Sequence, residues 1–280
     1  MTWRMSVIHR TSYLYESEVV ASFNELRMTP VSNAHQLLVY HQTSTNPFAP
    51  LQVHRDYWGS TVEAFDLHTP HLSLEVVSEN IVETSPIQLQ SEECKWHHLD
   101  DRDVRDQYAE YLVHTKLVPV LADVQDITCH LRSMPTPQSA VDACVETVRE
   151  RMTYTPGATH VYTSATEAWS TAHGVCQDYS HITLSLLRSA GIPARYVSGY
   201  HYTGSDEIGD TVVGESHAWL EAWVGDWMPI DPTNDRIVDE KHVVVAYGRD
   251  YHDVSPLRGI FSGGQGHEID VSVSLTRLAR

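Results

Sequence analysis

Among four cysteines and eighteen histidines, the residues best placed for chemistry are those whose neighbours already constrain them. Cys176 follows Gly174 and precedes Tyr179, Ile182, Leu186, Leu187 and Ala190 at helical spacing, which puts it in the first turn of a helix. Free backbone N–H groups and the positive end of the helix dipole favour a thiolate there, and the same N–H groups can receive the oxyanion of a tetrahedral intermediate. A thiol nucleophile needs a base, and the base needs an orienting group. His217, in Glu215-Ser-His-Ala-Trp219, lies 41 residues after Cys176, and Asp231, in Pro229-Ile-Asp-Pro-Thr-Asn234, lies 14 further on. That spacing lets His217 on one strand face Asp231 on its neighbour across a hairpin. The competing reading of a lone cysteine is a buried structural thiol.

Other candidates surround these three. Tyr154, Trp169 and Gln177 are near the nucleophile in sequence, either to donate to an oxyanion and wall a cleft or to pack a core. Asp178 is expected to cap the helix behind Cys176. His160, His201 and Tyr202 flank the cleft segments as candidate substrate contacts, and the Gly/Asp/Ser-rich stretch Gly204–Gly214 is either a lid or an ordinary connection. His97-His98 and Cys129-His130 have no third ligand at a recognisable spacing, so no metal is expected. Gly259–Gly266 lacks the preceding strand and following helix of a phosphate-cradling loop, and no cofactor is expected.

The elements that must hold these residues change character along the chain. Met5–Tyr15, Leu37–Thr43, Leu51–Asp56, Thr61–Leu67 and Leu72–Val82 read as strands, with Tyr57–Ser60 as a tight turn, and predict an N-terminal antiparallel β-sandwich. Past the charge-dense stretch Ser91–Asp103 the periodicity becomes helical, so a domain boundary is expected there, dividing 1–95 from 96–280. Tyr108, Tyr111 and Leu112 share a helical face, and Ala140, Val141, Cys144, Val145 and Val148 follow the start signal Thr136-Pro137. Ser164–Ala172 is a further helix, and Gly191 ends the one that Cys176 begins. Ala194–Tyr202, Ser216–Val224, Asp226–Asp231 and Glu268–Leu275 then read as strands. The second half is therefore α+β, helices first and sheet after.

Composition narrows the function classes. With 19 Lys+Arg against 37 Asp+Glu the net charge is −18, which repels phosphate backbones and anionic lipid, so neither nucleic acid nor membrane is an expected partner. At 41% hydrophobic and 20% charged the chain can bury a core. Met1–Tyr15 lacks a continuous apolar segment, and Cys94, Cys129, Cys144 and Cys176 show no paired spacing, from which a cytoplasmic protein is expected. Oligomeric state is not readable.

Four blocks taken together, Gly174-Val-Cys-Gln-Asp-Tyr179, Leu186–Tyr200, Ser216-His-Ala-Trp219 and Asp231-Pro-Thr-Asn234, resemble the transglutaminase-like superfamily. The strand-rich start, with Ser22-Phe-Asn-Glu-Leu-Arg27, resembles the N-terminal domain of bacterial transglutaminase-like proteins, often described as cysteine proteases. The resemblance implies a papain-like α+β core, with Cys176 as nucleophile, His217 as general base and acid, and Asp231 orienting the imidazole. It implies acyl transfer from an amide through a thioester, with a peptide or amide as substrate. Nothing after Asn234 has the size of the two further β-domains of the animal cross-linking enzymes, so hydrolysis by a peptidase or amidase is expected ahead of a protein-glutamine gamma-glutamyltransferase or amide ligase using an amine acceptor. A non-catalytic binding protein is the reading from another class.

Overall fold

The computed structural model describes residues 2–87, 94–122, 124–234 and 236–279. Its N-terminal region is antiparallel: β1 (Trp3–Leu26), β2 (Gln36–Asn46), β3 (Gln52–Arg55), β4 (Thr61–Leu67) and β5 (His71–Thr84). The long β1 serves two wings of one sheet. Its first half pairs with β5, its second half with β4, and the register breaks between Leu14 and Val19. Tyr15, Val19, Leu26, Phe65, Leu67, Leu74 and Val76 from both wings form one buried cluster. Alternation of buried Trp3, Met5, Val7, His9 and Thr11 with outward residues is the period-two signature of a sheet with one face covered.

The helical segment holds α1 (Trp96–Asp100), α2 (Arg102–Gln107), α3 (Gln125–Ser133) and α4 (Pro137–Arg151). Tyr108 and Tyr111 lie beyond α2, in and beside a single 3-10 turn, because their rings are taken by Trp223 and Trp227 rather than by a helix neighbour. A short parallel pair, β6 (Thr153–Tyr154) and β7 (His173–Gly174), brackets α5 (Ala165–Thr171) and leads directly into α6 (Cys176–Ser189). Helix α6 is buried along most of its length. Behind its predicted apolar face, Ser180, His181, Thr183, Ser185 and Arg188 are buried too. Arg188 donates to the carbonyls of Val113, Ala194 and Arg249, so a cation stitches three segments together in the core.

A second sheet, in the order β12-β11-β10-β8-β13, packs on α6. Its strands are β8 (Ala194–His201), β10 (His217–Trp223), β11 (Trp227–Asp231), β12 (Arg236–Ile237) and β13 (His242–Gly248), the last not picked out by sequence. After α7 (Tyr251–Val254) the chain returns as β14 (Leu257–Gly263) and β15 (His267–Ala279), both paired with β1. β9 (Thr211–Gly214) then adds to β15. A cut between 95 and 96 therefore does not separate the sheets: three strands from the later part belong to the N-terminal sheet. Part of the expected boundary, residues 88–93, lies outside the described residues. One core joins the halves, with Trp3, Met5, Val7 and Val82 packed among Tyr200, Tyr202, Ile182 and Leu275.

Candidate active site

Cys176 occupies the first helical position of α6, where its N–H has no intrahelical acceptor. The approach to it is closely packed. Ala172, at the end of α5, adopts φ 57°, the left-handed conformation that turns the chain into β7. A side chain on Gly174 would meet the Cβ and Oδ2 of Asp178 at 2.6 Å, so only glycine fits between the entering strand and the helix. Asp178 acts as the expected cap and more: its Oδ2 accepts from the Val175 N–H at 2.8 Å and from the Thr159 hydroxyl at 2.6 Å. Gln177 donates to the Val161 carbonyl at 3.2 Å. Gln177 and Asp178, the two residues after Cys176, thus clasp the loop between β6 and α5.

His217 begins β10 and Asp231 ends the neighbouring β11, as the hairpin spacing anticipated. Their rigid meeting point is a 2.7 Å contact between His217 Nε2 and Asp231 Oδ2. Cys176 is close enough to His217 to act on its charge, and with Nε2 engaged by Asp231 the nitrogen left to face the sulfur is Nδ1. Burial alone would push His217 down, but the hydrogen bonds and charges of Asp231 and Cys176 outweigh it and raise it to about 10. Burial would raise Asp231, yet hydrogen bonds from His217, His242 and Asn234 hold it well below the usual carboxylate range. The Asp231 side chain is 0% exposed. Its Oδ1 accepts from the backbone N–H groups of Thr233 (3.0 Å) and Asn234 (3.3 Å), and Asn234 Nδ2 donates to Oδ2 at 2.8 Å. Gly199 sits opposite His217 in the β8–β10 register, and a Cβ there would strike the Val243 carbonyl oxygen and, at 2.5 Å, the Trp219 ring, so the glycine makes room for both the neighbouring strand and the indole beside the imidazole.

The secondary candidates divide. Tyr154 is exposed beside the nucleophile, and burial, then the charges of Cys176 and Glu215, push its hydroxyl up. Trp169 lies under the Arg151 guanidinium, 4.1 Å away, and packs rather than donates. Gln177 is committed to Val161. His160 is tied into its own loop, accepting from the Tyr162 N–H at 3.2 Å. Tyr202 is a correction: it is fully buried, and its hydroxyl contacts Ser205 and Asp210 instead of lining a cleft. The lid reading of Gly204–Gly214 is corrected with it. Asp210 Oδ2 accepts from the Ser205 N–H and hydroxyl, each at 2.7 Å, and the segment then becomes β9 of the large sheet.

Asn234 and His242 are site residues that sequence reasoning missed. Asn234 stands in a quoted block without a role assigned, and one histidine among eighteen carries no signal of its own. His201, His217, Asp231 and His242 each offer one ligand atom within 4.8 Å of the others, a grouping unlike the pairs weighed from sequence. The rings of His201 and His242 stack at 4.2 Å and 11°, and Asp231 is already engaged in hydrogen bonds. Within the cluster, His217 and His242 both contact Asp231, while His201 joins by stacking and its buried Nε2 has no hydrogen-bond partner among the described residues.

The transglutaminase-like superfamily matches residues 126–232, and the bacterial transglutaminase-like N-terminal region matches residues 5–83. An uncharacterised protein of Mycobacterium leprae is 44% identical over 278 residues, covering 99% of this chain and 100% of that one. A protein-glutamine gamma-glutamyltransferase of Pseudomonas aeruginosa is 32% identical over 103 residues, 32% of this chain and 15% of that one. A solved structure from Cytophaga hutchinsonii, presented as a candidate cysteine protease, superposes with TM-score 0.76 at 18% identity, covering 99% of this chain and 98% of that one. The chain belongs to the transglutaminase-like superfamily and carries its bacterial N-terminal region.

Proposed function

We propose that the protein is a cysteine-dependent acyl-transfer enzyme that hydrolyses amide bonds, as a peptidase or amidase. The observation that carries this reading is His217, hydrogen-bonded to buried Asp231 at 2.7 Å and under the electrostatic influence of Cys176 at the start of α6. The Cys176 sulfur attacks the amide carbonyl, and the oxyanion is received by the Cys176 backbone N–H with a neighbouring donor, for which the Tyr154 hydroxyl is the candidate. His217 protonates the departing amine, leaving an acyl-thioester. It then takes a proton from water, whose oxygen attacks the thioester and releases the acid and the thiol. Asp231 keeps the imidazole in the tautomer and orientation that both steps need.

Transfer of the acyl group to an amine is the second reading, favoured by the similarity to the Pseudomonas aeruginosa gamma-glutamyltransferase over 103 residues. A glutamine-containing peptide incubated with and without a primary amine separates the two. Hydrolysis changes amide to acid and adds about one mass unit, whereas transfer adds the amine less ammonia. Cys176→Ala is expected to abolish either product, and Asp231→Ala to leave a residual rate, because Asp231 only orients the base. Turnover by Cys176→Ala equal to wild type overturns the proposal.

Among the described residues no helix is long and apolar enough to cross a membrane. Cys94, Cys129, Cys144 and Cys176 are all free, which supports placing the protein in a reducing compartment such as the cytoplasm.

A further inference from the structure

One wholly buried titratable side chain touches the site without a part in the chemistry above. His242 opens β13 at 0% side-chain exposure, and its Nε2 lies 3.4 Å from Asp231 Oδ2. On its other edge, Nδ1 lies 3.0 Å from Asp239 Oδ1 and 3.2 Å from the Asp239 backbone nitrogen. The ring plane is set by its neighbours: His201 stacks on it, Trp219 meets it at 72° with centroids 5.3 Å apart, and the His217 ring is 6.3 Å away. Asp239 is itself fixed, because its Oδ1 accepts from the Lys241 N–H at 3.0 Å.

Two protonation states satisfy these contacts. The neutral ring accepts the Asp239 backbone N–H at Nδ1 and carries its proton on Nε2; the imidazolium carries one on each nitrogen and bridges the two carboxylates. In both, Nε2 donates to Asp231 Oδ2. The Thr233 and Asn234 N–H groups hold the other carboxylate oxygen, and Oδ2 receives the Asn234 amide at 2.8 Å, so β13 adds a second contact that limits rotation of Oδ2 away from His217.

We propose that His242, held by Asp239, is a positioning residue that sets the Asp231 carboxylate for His217. Asp239, His242, Asp231, His217 and Cys176 then form one continuous line of polar contacts running from the turn before β13 to the nucleophile. The inference rests on the acyl-transfer reading of the site.

The test is the pH profile of iodoacetamide labelling at Cys176, resolved by peptide mass spectrometry against exposed Cys129, with melting temperatures recorded in parallel. His242→Phe keeps the ring volume and deletes the donor. It is expected to slow labelling near pH 6 roughly tenfold and to move the profile towards that of Cys129. His242→Gln, whose amide can still donate, is expected to recover most of the rate, and Asp239→Asn to shift the profile part of the way. A purely structural role would lower the melting temperature and leave the profile in place. A His242→Phe profile superimposable on wild type overturns the proposal; if that variant does not fold, an unshifted Asp239→Asn profile does so, since Asp239 is 37% exposed and tolerates the change. Wild-type Cys176 labelling no faster than Cys129 defeats the acyl-transfer reading itself and takes this inference with it.

Discussion

His217 is held between two groups that stabilise its charged form, and its proton is the one the leaving amine must receive. Because it is raised to about 10, the imidazolium persists through neutral pH and is lost as pH rises through about 10. The rate of thioester formation, kcat/KM on an amide substrate, is expected to fall along an alkaline limb near that value. In Asp231→Asn, where the charge partner is gone, the limb should move to lower pH; a limb that stays in place would separate Asp231 from the chemistry. The same contacts carry stability with a definite sign. His217, raised, contributes fully below its unfolded value of about 6.5 and loses that contribution by about 10; Asp231, held low, contributes above about 3.9 and loses it below.

At the scale of elements, the start of α6 is where sequence and packing agree most closely. Gly174 and the apolar spacing behind Cys176 announced both the helix and its entry, and the two strand-like runs ending at Val224 and Asp231 announced the hairpin. The conflict between a Cβ at 174 and Asp178 yields a prediction: Gly174→Ala displaces Asp178, costs about 1–3 kcal/mol in denaturant unfolding, and lowers labelling of Cys176. Arg188→Met should cost about 3 kcal/mol or more by the same measurement, because three carbonyls, that of Ala194 buried, lose their donor together. An Arg188→Met midpoint equal to wild type would show that water replaces the guanidinium. Neither Arg188 nor His242 could be singled out from sequence. A buried charge on α6 breaks the amphipathic pattern that marks a helix face, and His242 gains its neighbours from strand order, which places β13 beside β8 rather than beside the strand before it. Tyr202 shows the converse error: adjacency to a cleft strand in sequence gave it a substrate role, while alternation turned it into the core.

For the molecule as a whole, the expected boundary between 95 and 96 does not coincide with a division between sheets, and the reason is physical. Strand pairing is non-local, and the alternation in Glu268–Leu275 identifies a strand without naming its partner. The joint core also buries imidazoles that must stay neutral. His9, bonded to the Tyr200 hydroxyl across the interface at 2.9 Å, is lowered by burial to about 4, and His181, buried in α6, to about 3. Groups depressed this way cost nothing above about 6.5 and destabilise the fold progressively below it, as the unfolded chain takes up protons that the folded one refuses. The melting temperature is expected to fall between pH 7 and pH 5, and His181→Asn should flatten that slope. A slope unaffected by the change would assign acid sensitivity to other groups.

The two residues between β9 and β10 have a consequence for the order in which the molecule is made. β9 ends at Gly214 and His217 begins β10, so the segment entering the base is moored to the large sheet, where Thr211–Gly214 pair with Val273–Thr276. On the ribosome those partner residues emerge more than fifty residues after the base itself. The nascent chain therefore presents its thiol, imidazole and carboxylate well before the strand that anchors the approach to them, and the final setting of the site waits on late synthesis.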